Sequence, residues 1–390
     1  MSGLFTRDEL KREFPLTEKF LYFAGASTGI LPERTIAAQI AFLNRYRQTD
    51  MAHDPETFFM MAELRANIAR LLNCEKGEIA LVPNTSVGIN AIAAAYPWEN
   101  GDEILIGSRE FPANSYPWLN AHHMGAKVIW IPMQTGRITP NMIEKHISPK
   151  TKMITISEVQ FSDGYRSDVR QVVEMAKNQG IYVFVDGIQA MGVLKVDARH
   201  EGFHAFASGG QKHMLSPYGT GFLYVKRGFL ECLNPAYDGW LSHFIEPEDF
   251  TDLLRHDMPS APDAKRFEVG SHAYQALWGM SESVKMFLEL GIENIEAHCL
   301  GLSDYLCDRV SGIKGVSVLS DRDGAHRTHI VSLKVPNATA VRDELTKRKV
   351  VVSLREGALR FAFHVYNTKE QIEIALGYLN NILGKMRVNQ

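Results

Sequence analysis

From residue 78 onward, short and almost continuously apolar runs alternate with stretches whose apolar positions recur at helical spacing. The apolar runs are 78–82 (EIALV), 103–107 (EILIG), 127–133 (KVIWIPM), 152–157 (KMITIS), 181–186 (IYVFVD), 204–209 (HAFASG) and 221–225 (GFLYV). Helical patterns fall between them in SVGINAIAAAY, NSYPWLNAHHMG, residues 140–146 and SDVRQVVEMAKNQG. Strands that are apolar on both faces, separated by helices, predict an α/β fold with a mainly parallel seven-stranded sheet covered on both sides.

The character changes near residue 284. A long helical pattern at 292–310 is followed by GVSVLS, THIVSLKV, a helix at 338–347, VVVSLR, ALRFAFH and a last helix starting at 369. This order predicts a smaller α+β domain. The expected division is a large domain over 21–283 and a small one over 284–390, joined by N-terminal residues 1–20 and their helical pattern TRDELKREF.

Composition narrows the possible activities. A net charge of −3 gives no electrostatic basis for binding nucleic acid or an anionic membrane surface. No apolar run approaches the ~20 residues needed to span a bilayer. The start of the chain is charged and has no apolar signal-peptide core. Four cysteines, Cys74, Cys232, Cys299 and Cys307, show neither disulfide-scaffold nor metal-ligand spacing. A reduced, soluble, cytoplasmic protein is the expectation.

Candidate chemistry centres on Lys212, a lysine on a glycine-bearing loop between two apolar runs, and on Asp186, at the end of another. Ligands of open α/β sheets collect at the carboxyl ends of the strands. There an amine can hold an aldehyde cofactor as an imine, and a carboxylate can keep a pyridine nitrogen protonated. Taken alone, Asp186 is equally well explained as a turn cap. The segment PNTSVGIN (83–90) follows a strand and opens a helix, so Thr85, Ser86 and the free N–H groups there form either an anion site or an ordinary N-cap. No G-x-G-x-x-G, G-x-x-x-x-G-K-[ST] or H-E-x-x-H pattern is present, which removes the dinucleotide, P-loop and zincin readings.

The ordered set VDGIQA (185–190), GGQK (209–212) and PYGTGFLY (217–224) resembles the class V aminotransferase family of enzymes dependent on pyridoxal 5′-phosphate (PLP). That family includes cysteine desulfurases, kynureninase, isopenicillin N epimerase and C–S lyases. YFAGASTGILP, REFPANSYPW, RFEVGS and LRFAFHVYNT extend the resemblance over nearly the whole chain. It implies the PLP-dependent transferase fold of type I and a homodimer acting on an amino acid. By the resemblance, Lys212 carries the cofactor, Asp186 faces its ring nitrogen and Gln189 its ring oxygen, and Phe111 stacks on the ring. Thr85, Ser86 and the partner's copy of Ser271 hold the phosphate, and Arg360 takes the substrate carboxylate, with Arg355 a weaker candidate.

Departures from the desulfurase pattern are specific. Phe111 and Gln211 stand where desulfurases carry histidines, and Gly209 stands where they carry a serine, so Ser208 or Gln211 is the expected replacement for that phosphate contact. Between VVVSL and LRFAFH there is room for only residues 355–358, with no cysteine where desulfurases carry a catalytic one. Transamination, β-elimination by a C–S lyase and epimerisation all remain open, as does a catalytically silent binding subunit. His213, Trp240, His243 and His364 are candidates for the substrate side, each also explicable as structural.

Overall fold

The computed structural model describes residues 4–51, 55–243 and 256–388. Its strands are β1 (Leu21–Tyr22), β2 (Ile79–Leu81), β3 (Glu103–Gly107), β4 (Lys127–Ile131), β5 (Thr151–Ser157), β6 (Tyr182–Asp186), β7 (Ala205–Gly209), β8 (Gly221–Val225), β9 (Ser317–Val318), β10 (Ile330–Lys334), β11 (Val350–Val351), β12 (Ser353–Arg355) and β13 (Ala358–Ala362). Among the described residues, one sheet has seven strands in the order β2-β8-β7-β6-β5-β3-β4. All its pairings are parallel except those of β8 with β2 and β7.

Alternation along β6 shows why this sheet reads as an unbroken apolar run. Val183 and Val185 pack into one buried cluster, and Phe184 packs into the other, against the Trp118 ring at 5.4 Å. With both faces covered, there is no polar side for the pattern to report.

The helix Thr85–Ala95 covers one of those faces. The Asn84 side chain caps it by accepting from the Val87 N–H at 2.9 Å. Gly88 lets it lie close to the sheet, because a Cβ there would stand 2.8 Å from that of Ala207. That approach brings the Thr85 hydroxyl to the end of β7.

A second sheet, β12-β13-β10-β9, is antiparallel throughout. The apolar run near 350 reads as one strand in the sequence but is two. Val350–Val351 pairs in parallel with β1, whereas Ser353–Arg355 pairs with β13. The chain leaves one ladder for the other at Val352, and both halves are apolar enough to hide the break. β12 and β13 are joined by Glu356 and Gly357, both at positive φ. N-terminal residues meet this sheet's surroundings: Phe14 packs on Tyr366 at 5.3 Å, and Asn367 donates to the Tyr22 carbonyl at 2.9 Å.

Three long helices lie outside the alternation read from the sequence: Glu33–Gln48, Pro55–Leu72 and Tyr274–Leu290. No helix among the described residues is long and apolar enough to cross a membrane.

Gly187, directly after Asp186, sits against the Phe206 ring, where a Cβ would fall 1.6 Å from Cζ. Gly187→Ala should destabilise the protein by about 1–3 kcal/mol through overpacking. Gly384→Ala, in open helix, should be neutral or stabilising by up to about 1 kcal/mol. Urea denaturation of both variants checks the contrast, and equal midpoints would refute it.

Candidate active site

The carboxyl ends of β5, β6 and β7 converge. Ser157 pairs with Asp186, and Asp186 pairs with Ala207. Asp186 is buried there, its carboxylate accepting the Ile188 N–H at 3.0 Å. Burial pushes its pKa up to about 6. The Ile188 N–H and Lys212 pull the other way, while Glu110 adds to the rise.

Lys212 follows β7. Its Nζ lies over the Phe111 ring, 5.3 Å from the centroid, and among the described residues it has neither an ion pair nor a hydrogen bond. Burial brings the amine down to about 8. Asp186 opposes that shift, while Arg360 and Arg355 reinforce it. At that value about a tenth of the amine is neutral at pH 7, against about one in a few thousand for an ordinary lysine.

Phe111 is held from behind. Glu110, buried, accepts from the Ser157 N–H at 3.0 Å, from Gln160 at 2.7 Å and from Asn114 at 3.2 Å. Asn114 in turn accepts from Thr155 at 2.6 Å and from the Trp118 indole at 3.1 Å. This network ties the Phe111 segment to β5 and leaves the ring about one third exposed toward Lys212. Phe161 meets it edge-on at 5.2 Å.

At the end of β7, Thr85 accepts the Gly209 N–H at 2.8 Å. A Cβ on Gly209 would come within 2.5 Å of the Gln211 Oε1, a buried atom with no partner of its own. Thr85 and Gly209 therefore lie at a helix N-terminus suited to a phosphate, with the Gln211 amide beside them. Ser208 stands apart from them. Strand alternation points it away from the Thr85 face, and its hydroxyl turns to the Gly209 carbonyl at 3.3 Å. Ser86 and Ser271 are both exposed.

Gln189 is buried and oriented from both ends: its amide nitrogen donates to the Ala26 carbonyl at 3.1 Å, and its oxygen lies 3.0 Å from His213 Nε2. His213 also contacts His329 at 3.1 Å, and His364 meets the His213 carbonyl at 2.8 Å. All three rings are fully buried. Burial holds His213 well below the ordinary histidine pKa, aided by His329, and burial brings His364 to about 4. These are neutral packing groups behind Lys212. Trp240 is two-fifths exposed, and His243 bonds to Asp238 and to the Met258 carbonyl.

Arg360 enters from β13 and is buried, yet no carboxylate faces it among the described residues. Its Nη1 donates to the Phe161 carbonyl, its Nη2 donates to the Ser27 hydroxyl at 2.9 Å, and its buried Nε has no partner. Burial, then the Arg355 charge, lowers its pKa to about 9. Arg355 reaches the same Ser27 hydroxyl at 3.2 Å, and Ser353 reaches it at 2.8 Å. Ser27, Phe161 and Glu110 are central here; Ser27 and Glu110 lie inside segments that carry the resemblance, but no role attaches to any of the three in the linear sequence. They are recognised only by what folds against them.

The unpartnered Arg360 Nε–H, the space beside Gly209 at a helix N-terminus, and an unpaired Lys212 amine that senses the Asp186 carboxylate fit an anionic aldehyde cofactor and a carboxylate-bearing substrate. The chain is 27% identical over 316 residues to YcbU of Bacillus subtilis, an uncharacterized aminotransferase, covering 80% of this chain and 81% of that one. It is 28% identical over 394 residues to a probable cysteine desulfurase of Halalkalibacterium halodurans, covering 94% and 95%. The cystine C-S lyase C-DES, solved with its product cysteine persulfide, superposes with a TM-score of 0.86 at 22% identity, covering 94% of this chain and 99% of that one. That likeness shows a shared fold, the PLP-dependent transferase fold of type I. With the Aminotransferase class-V description matching residues 21–374, the chain belongs to the class V aminotransferase family, whose cofactor is PLP.

Proposed function

We propose that this protein is a PLP-dependent enzyme that acts at the α-carbon of an amino acid, with transamination as its reaction. The observation that carries the reading is Arg360. A buried guanidinium without a carboxylate partner is costly, and a substrate α-carboxylate would relieve that cost through a bidentate pair.

The other roles follow from placement. Lys212 Nζ attaches the cofactor, takes the α-proton once freed, and returns it. Asp186 holds a proton on the ring nitrogen. Phe111 covers one ring face, Gln189 offers an N–H to the ring oxygen, and Thr85 with Gln211 receives the phosphate. When bound, PLP supplies an electron sink conjugated to the substrate α-carbon.

Persulfide chemistry lacks a thiol in suitable surroundings. Burial raises the Cys74 and Cys299 thiols far above the ordinary range and Cys307 to about 11. Cys232 bonds to Tyr182, at the opposite end of β6 from Asp186. The turn between β12 and β13 contains only Glu356 and Gly357. A second reading, β-elimination, is supported by that same lack of a thiol acceptor and by the likeness to a cystine C-S lyase. It needs no catalyst beyond Lys212.

We also propose a homodimer. The helix Glu33–Gln48 exposes Ile40, Leu43 and Tyr46, and the helix after it exposes Phe59. A second copy would cover this face and bring its Ser271 toward the phosphate site.

Purified holoenzyme should show a visible band, and borohydride should fix the cofactor to the Lys212 peptide. Lys212→Ala should lose the fixed label and at least about 100-fold in turnover; wild-type turnover in that variant would refute the assignment. On adding PLP to apoenzyme, the rate of band formation should rise with pH and level off near 8. The native amine titrates below its unfolded value, so the neutral form dominates above that pH. A rise continuing to pH 10 would mark an ordinary lysine. Sedimentation should give twice the chain mass, and a monomer that still binds PLP tightly would refute the shared site.

A further inference from the structure

The charges around Ser27 do not balance for a substrate with a single carboxylate. Arg360 and Arg355 both direct Nη2 at the one Ser27 hydroxyl, at 2.9 and 3.2 Å. Neither has a carboxylate partner among the described residues. The acid nearest Arg355 in sequence, Glu356, is held instead by Arg109 at 2.9 Å. Both arginine charges act on Lys212, which the Asp186 carboxylate offsets.

The two arginines differ in what they can still offer. Arg360 is fully enclosed, and its free capacity lies along one edge, the unpartnered Nε–H and the second Nη2 hydrogen. That edge is the side-on fork that matches one carboxylate. Arg360 therefore satisfies an α-carboxylate by itself. Arg355 is half-buried, at the end of β12 beside the cleft. Its Nη1 is bound to the Leu354 carbonyl at 2.8 Å, and among the described residues its Nε–H has no hydrogen bond.

We infer that Arg355 is a specificity residue for a second anionic group on the substrate, so that the preferred substrate class is an amino acid with an acidic side chain. The inference rests on the proposed amino-acid reading and deepens it. Arg360 fixes the α-carboxylate, Ser27 sets the spacing between the two guanidinium groups, and Arg355 pairs with the side-chain anion. A neutral side chain of the same shape leaves Arg355 without a counter-charge, and the discrimination is electrostatic rather than steric.

The test uses holoenzyme and two isosteric pairs, L-aspartate with L-asparagine and L-glutamate with L-glutamine. Each is titrated against the visible band at low salt. At least one acid should bind about tenfold or more tightly than its amide. Arg355→Gln should bring the ratio of acid to amide affinity to within about twofold, and retention of the band shows that the variant is folded and loaded. Equal affinity for acids and amides in the wild type overturns the inference while leaving the amino-acid reading intact. So does a variant that loses acids and amides alike, because Arg355 would then belong to the α-carboxylate. A band that none of the four compounds shifts, in enzyme whose Lys212 is still trapped by borohydride, overturns both.

Discussion

Burial of a guanidinium with no anion to meet it is the constraint around which this site is organised. Arg360 sits on an interior strand of the small sheet and is kept cationic by carbonyl and hydroxyl contacts rather than by a salt bridge. Neutral acceptors solvate the charge only in part, which is why its pKa falls. The same unbalanced charge reaches Lys212 and helps hold its amine near neutrality. One structural deficit thus has two effects: it leaves a guanidinium able to pair with a carboxylate, and it lowers the pKa of a neighbouring amine.

The sheet supplies the opposing charge. Because β5, β6 and β7 run parallel and are covered on both faces, their carboxyl ends open together, and Asp186 stands in an apolar surround that raises its pKa. Glu110 lies close enough to add to that rise while being held by three neighbouring side chains and a backbone N–H. A buried acid network beneath Phe111 and a neutral histidine cluster next to Lys212 in the chain then fix the position of these two groups. Neither network needs to touch substrate to matter, since a site loosened by about 1 Å loses much of its effect.

The large sheet was legible because its strands are buried on both faces and bounded by turn residues, so that the apolar runs mark them within a residue or two. The helix at 292–310 was equally plain. The helices at 33–48, 55–72 and 274–290 and the break at Val352 are not marked by the alternation read from the sequence. In the last case both flanking strands are apolar, and periodicity cannot show that one run pairs with two ladders. In the fold, Lys212 lies against Phe111 and within reach of the Asp186 and Arg360 charges, and Thr85 lies at the end of the strand before it. Ser208 points away from Thr85, because a one-residue step along a strand reverses the face.

By itself, the sequence determined the fold class and the family, because these depend on local pattern and on short motifs carried along the chain. Tertiary structure alone decided which of the polar groups are charged, paired or orphaned. Ser27 becomes a junction for two arginines, and Glu110 a neighbour of Asp186, only when segments some 330 and 80 residues apart are packed together. Desolvation and counter-charge belong to the packed environment, and a linear pattern carries no record of either.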